Sequence, residues 1–207
     1  IYKIKHLIFA STSSVYGNNK KFPLEENFNT DKPLSFYAAT KKSNEVLAFS
    51  YSNIYKLPTT GLRFFTVYGP YGRPDMALFK FTKSILNNKK LELYNHGNHI
   101  RDFTYVDDVS NCIFKLINKP PKNEIPFEIF NIGSNKPQKL MNFLQIITKN
   151  LNKKPKTVYK SMQKGDVIKS HASIKKINKK IYFKPKTKIA KGIENFIDWY
   201  KIYYKKS

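Results

Sequence analysis

The run Ile4–Ala10 (Ile-Lys-His-Leu-Ile-Phe-Ala) opens into four hydroxyl side chains, Ser11-Thr12-Ser13-Ser14. An apolar run of that length reads as a buried strand of the parallel type. A polar loop, 18–33, leads to Ser35, which can cap a helix running through Val46, Leu47, Phe49 and Tyr51. A second strand follows within Leu57–Phe65, with Thr59–Phe65 as its core. The pattern then repeats. Helices are expected at Ala77–Leu86, Val109–Ile117 (with an Asp cap) and Leu140–Leu151, and strands at Leu91–Tyr94, Phe127–Ile132 and Lys156–Tyr159. Ser173 and Thr187 are candidate caps for two more helices, the last passing through Ile193, Phe196, Ile197, Trp199 and Tyr200. Strands alternating with helices predict an α/β fold with a mostly parallel sheet. Open sheets of this kind place ligands beyond the carboxyl ends of their strands, where Thr12, Ser13 and Ser14 fall.

Composition narrows the function classes. With 207 residues, 41% hydrophobic and 15% aromatic, the chain can bury a sizeable core in one large or two small domains. No run approaches the ~20 apolar residues of a membrane span. Cys112 is the single cysteine, so a disulfide framework within one chain is excluded, and a cytoplasmic setting fits. His6, His96, His99 and His171 are dispersed, and no metal site is expected. The formal charge of +24 suggests a polyanion partner at first sight. However, 35 of the 38 basic residues are lysines spread over every segment, with only Arg63, Arg73 and Arg101 able to offer a planar fork. Nucleic acid is therefore not the expected partner.

Tyr37 and Lys41 lie four residues apart, which on a helix puts phenol and ammonium on one face. A fixed cation beside a phenol favours the phenolate, so the pair is a candidate base for a sugar or alcohol hydroxyl. Arg63 is expected to be structural, pairing near its strand. Tyr68 and Tyr71 are expected to pack, and the aromatics around Trp199 to form core or an interface.

Four motifs in order carry a resemblance: Thr12-Ser13-Ser14-Val15-Tyr16-Gly17, Tyr37-x-x-x-Lys41, Leu62-Arg63-Phe64-Phe65-Thr66-Val67-Tyr68-Gly69-Pro70 and Arg101-Asp102-Phe103-Thr104-Tyr105-Val106-Asp107-Asp108. Together they resemble the extended short-chain dehydrogenase/reductases, the NAD-dependent nucleotide-sugar epimerases and dehydratases. Gly72-Arg73-Pro74-Asp75-Met76-Ala77 is similar to the UDP-glucuronate 4-epimerases among them. The likeness spans about residues 6–205.

The resemblance implies the C-terminal part of a Rossmann-type parallel sheet plus a smaller α/β substrate-binding domain. The remaining half of the NAD-binding domain would be 1–66, with 101–134 packing back on it, and 67–207 mainly the nucleotide-sugar domain. No Gly-x-Gly-x-x-Gly or Gly-x-x-Gly-x-x-Gly occurs and the chain does not open with Met. The expectation is therefore that the first βαβ units are absent and that these residues alone are inactive. By the resemblance Tyr37 is the catalytic base, Lys41 holds the nicotinamide ribose, and Thr12 bonds the reacting sugar oxygen. Phe65 lies near the nicotinamide, and Ser13, Ser14 and Thr66 contact substrate. Tyr94 and Arg101 serve uracil and diphosphate, Gln163 and Asp166 the nucleotide ribose and phosphate, and Arg73 a sugar carboxylate. A homodimer through the Tyr37 helix is implied, with Phe49, Tyr51 and Ile54 able to face a partner.

The implied chemistry is C4 epimerisation of a UDP-sugar through a transient 4-keto sugar, with NAD as cofactor. The dehydratases place Asp-Glu after the threonine; here Ser13 and Ser14 supply no acid, which speaks against dehydration. A 4-keto glucuronate loses CO₂ readily, so an epimerase must hold its carboxylate, a task suited to a bidentate arginine. The expected conversion is UDP-glucuronate to UDP-galacturonate. A UDP-glucose/galactose 4-epimerase, a UDP-glucuronate decarboxylase, and an inactive or polyanion-binding remnant stay open at this point.

Overall fold

A computed structural model describes residues 4–206. Three strands, β1 (Leu7–Thr12), β2 (Thr59–Phe64) and β7 (Phe127–Ile132), form a parallel sheet in the order β1-β2-β7. Thr12, Phe64 and Ile132 end the three strands side by side. Helix α1 (Phe36–Tyr55) starts where Ser35 Oγ accepts the Ala38 N–H. It stops at Lys56, in the left-handed region (φ 50°), two residues before Pro58.

The second half builds short parallel pairs: β3 (Thr66–Tyr68) with β6 (Phe103–Tyr105), and β4 (Lys90–Tyr94) with β9 (Lys156–Lys160). Among the described residues the one antiparallel pair joins β5 (Ile100–Arg101) and β8 (Gln138–Lys139). Helices α2 (Ala77–Leu86), α4 (Leu140–Leu151) and α6 (Ile189–Tyr203) turn apolar faces onto these strands. In α4 the buried residues are Leu140, Phe143, Leu144, Ile147 and Leu151, the spacing of one helical face. Each such side chain contributes about 1.5–3 kcal/mol by leaving water. Gly192 in α6 lets that helix lie against Tyr68 and Tyr105; a Cβ there would collide with the Tyr68 hydroxyl.

A second core joins Leu62, Phe130 and Ile132 of the parallel sheet to α3 (Val106–Ile117) and α5 (Lys175–Ile181). Cys112 is buried in it, and burial pushes its thiol up to about 12. The α/β class and the mostly parallel pairing agree with the sequence.

Three expected caps do not form. Helix α3 begins at Val106, not Val109, with Tyr105 at its cap. Asp108 instead turns across to accept the N–H groups of Lys186 (3.2 Å) and Thr187 (3.1 Å). Neither Ser173 nor Thr187 caps with its side chain; Ile174 and Lys188 occupy those positions. Among the described residues no helix is long and apolar enough to cross a membrane.

Candidate active site

Strand β1 runs directly into a single 3₁₀ turn, Ser13–Tyr16, because Thr12 stays extended and its Oγ1 accepts the Ser14 N–H at 3.2 Å. The same hydroxyl lies 3.2 Å from Ser14 Oγ, to which it donates. Beside this strand end opens a cleft of about 530 Å³. It brings together Thr12, Ser13, Ser14, Tyr37, Phe65, Thr66 and Arg73, contributed by β1, α1, β2–β3 and the loop 69–76. These residues span 62 positions of the chain, from Thr12 to Arg73. Gly69, at φ 144° and packed on Val106, gives that loop its first turn.

Tyr37 is half exposed at the cleft edge. Lys41 is not among the lining residues; its Nζ reaches back to the Ala10 carbonyl of β1 at 3.1 Å. One turn further along the same face, Glu45 is buried. Its carboxylate accepts Arg63 Nε (2.9 Å) and Nη2 (2.8 Å) and the Ser11 hydroxyl (2.6 Å). The Arg63 guanidinium also lies 4.8 Å from the centre of the Tyr16 ring. Burial pushes the Tyr16 phenol up to about 12 despite Arg63, and its hydroxyl donates to Asn131 Oδ1 at 2.6 Å. This network fixes α1 on β1 and β2, so Arg63 is structural, as expected. Tyr68 is buried, whereas Tyr71 is exposed (79%) and lies against Trp199 and Tyr203.

Arg73 is exposed, and its Nε and Nη2 grip both carboxylate oxygens of Asp75 at 3.0 and 2.5 Å. That grip holds the Asp75 carboxyl below its ordinary range. Exposed pairs of this kind contribute about 0–1 kcal/mol, so a ligand carboxylate can take the place of Asp75 cheaply.

A second pocket of about 230 Å³ adjoins the cleft and shares Thr66 and Met76 with it. Here Tyr94, Arg101, Gln163 and Asp166 come together. Arg101 Nη2 donates to Asp166 Oδ1 at 2.8 Å, and Nη1 donates to the Ile168 carbonyl at 3.1 Å. The Tyr94 hydroxyl donates to Glu92 at 2.9 Å. Asp102, the residue after Arg101, is fully buried and ties the Ser134–Asn135 turn to Ala172. Asp102 accepts the N–H groups of Ser134 (2.6 Å), Asn135 (3.1 Å) and Ala172 (2.9 Å). Burial pushes its carboxyl up against those donors.

One residue escaped the sequence reading. His99, treated there only as one of four scattered histidines, is buried beside Asp166, with Nε2 at 3.2 Å from Oδ2. Its signal was available: residues 99 and 101 of an extended segment share a face. Among the described residues no three His, Cys, Asp or Glu side chains group as a metal would require.

The family described as "NAD dependent epimerase/dehydratase family" matches residues 1–133. Protein CapI of Staphylococcus aureus is 50% identical over 99% of this chain and 66% of its own length. A probable UDP-glucuronate 4-epimerase of Rhizobium meliloti is 41% identical over 98% of this chain and 64% of its own. Among solved structures, a UDP-glucuronic acid 4-epimerase from Bacillus cereus, in complex with UDP-glucuronic acid and NAD, superimposes with a TM-score of 0.91. It is 32% identical, covering 98% of this chain and 63% of that one. The chain thus spans under two thirds of the length of each of these relatives.

Proposed function

The chain belongs to the NAD dependent epimerase/dehydratase family, and from that premise we propose that its protein epimerises UDP-glucuronate at C4. The observation that carries the reading is the joined pair of pockets. Hydroxyls, a phenol and an arginine line the cleft, a second arginine lines the adjoining pocket, and Thr66 and Met76 border both. That layout suits a sugar in the cleft and its nucleotide next door.

Tyr37 and Phe65 in the cleft suit the nicotinamide end of NAD, and Lys41, outside the lining, would hold its ribose by releasing the Ala10 carbonyl. When bound, NAD supplies the acceptor and then the donor of the C4 hydride, by way of a 4-keto sugar. Tyr37 takes the proton of the 4-hydroxyl and later returns it. Thr12 exchanges its bond to Ser14 for one to the same sugar oxygen and stabilises the charge that develops there. Ser13, Ser14 and Thr66 orient the sugar. Arg101 binds the diphosphate, Tyr94 the uracil, and Gln163 and Asp166 the nucleotide beside them, Asp166 through a ribose hydroxyl. Arg73 releases Asp75 and clamps the sugar carboxylate, which disfavours loss of CO₂.

Arg73→Ala tests the choice of sugar. In the full-length protein with NAD⁺, kcat/KM for UDP-glucuronate is expected to fall about 10–100-fold, the worth of a charge-assisted pair. With UDP-glucose it should hold. Equal losses on both sugars would remove the carboxylate role, and a pentose product from UDP-glucuronate would make the enzyme a decarboxylase.

A second copy of the chain is proposed to lie against α1, where Val46, Leu47, Phe49, Tyr51 and Ile54 are all exposed. Sedimentation of the full-length protein at micromolar concentration should give a dimer; a monomer would end this reading.

A further inference from the structure

In the pocket beside the cleft, a single carboxylate stands between two basic side chains. Asp166 Oδ1 accepts Arg101 Nη2 at 2.8 Å, and Asp166 Oδ2 lies 3.2 Å from His99 Nε2. That imidazole nitrogen is buried and, despite its distance, is poorly aimed for a hydrogen bond, which leaves it without a satisfied partner. Nη1 of Arg101 is bound to the carbonyls of Ile100 (3.2 Å) and Ile168 (3.1 Å), while among the described residues Nε and the second Nη2 hydrogen have no partner. A diphosphate that engages those donors brings its negative charge up beside the Asp166 carboxylate on the same guanidinium, and the like charges repel. A carboxylate that yields there has His99 beside it.

We propose that His99 is a positioning residue that takes up a proton from solvent as the diphosphate of a nucleotide sugar engages Arg101, and that it then holds Asp166 aside. The inference rests on Arg101 being the diphosphate contact, as proposed above. The charge count favours it. Asp166 and Arg101 balance each other while His99 is neutral, and burial and the Arg101 charge both push its imidazolium below the ordinary range, against the pull of Asp166. With Lys80 counted, a dianionic ligand leaves the pocket one charge negative, and one added proton neutralises it. The other charged groups facing the pocket do not substitute for His99. Asp75 is bound by Arg73, Glu92 faces Tyr94 and Lys160, and Lys80 is already cationic. Phe103 and Leu140 are apolar walls of the same pocket.

A proton bound together with the ligand makes affinity rise as pH falls. The rise is confined to the window between the pKa of His99 without ligand and its pKa with ligand, at up to about tenfold in Kd per pH unit.

The test is calorimetric titration of the full-length protein with UDP-glucose, whose diphosphate exchanges no proton near neutral pH, in two buffers of different ionisation enthalpy. Wild type and His96→Asn, a change at an exposed histidine of the same turn, are expected to take up as much as one proton on binding. His99→Gln and His99→Asn are expected to bind without uptake and with a Kd that no longer tightens toward low pH. Binding without uptake in wild type, or equal uptake in the His99 variants, overturns the proposal. Failure of wild type to bind any UDP-sugar overturns the reading of the pocket itself. Should neither His99 variant fold, the wild-type His99 Cε1 resonance must move to the imidazolium position during the titration; an unmoved resonance overturns the proposal.

Discussion

Tyr37→Phe is expected to lower turnover of UDP-glucuronate by about 10²–10⁴-fold, the range for loss of a positioned acid–base group. The substitution removes one oxygen and keeps the ring. Tyr37 is half exposed and its side chain makes no hydrogen bond among the described residues, so no buried partner is orphaned. Stability should stay within experimental error, and affinity for the UDP-sugar should hold because the proposed nucleotide contacts line the adjoining pocket. Single-turnover kinetics beside equilibrium binding separate the two effects. A variant that binds and turns over normally would take the base away from Tyr37.

The second large effect concerns the support under that tyrosine. Arg63→Ala strands the Glu45 carboxylate, buried with only the Ser11 hydroxyl left to it. Breaking a buried, bidentate pair from one side costs about 3–5 kcal/mol. The urea midpoint should fall accordingly. Replacing both partners by apolar residues of similar volume, Arg63→Met with Glu45→Leu, should recover most of the loss, because no charge then remains unpaired. A double variant as unstable as Arg63→Ala would mean that the cation on Tyr16, and not the ion pair, dominates. Glu45 follows Tyr37 by eight residues, about two turns along one face, so loosening this pair also shifts the phenol.

What was legible in the sequence was whatever local chemistry decides. Ser35 caps α1 because its hydroxyl needs only the N–H three residues on, and α2, α4 and β7 announce themselves by periodicity. Asp108 was misread for the opposite reason: its partners, Lys186 and Thr187, are 78 and 79 residues away. The strands β3, β5, β6 and β8 have two or three residues each, too few to show alternation. In the candidate site, the ordered motifs brought Thr12, Tyr37, Phe65, Thr66 and Arg73 to one cleft. They could not say that Arg73 would be closed on Asp75, nor that Arg101 and His99 would share Asp166, 65 and 67 positions further along.

The loop shared by the two pockets bears on how such a protein can diversify. The proposed proton-handling groups sit on β1 and α1, and the proposed nucleotide contacts on β4, β5 and the segment 163–166. The loop Gly69–Met76 borders both pockets and supplies none of the proposed acid–base groups. Loops of this sort accept sequence change more readily than the elements that carry them. On the proposed roles, drift within these eight residues can change which group on a sugar is clamped while the acid–base and nucleotide contacts are inherited unaltered.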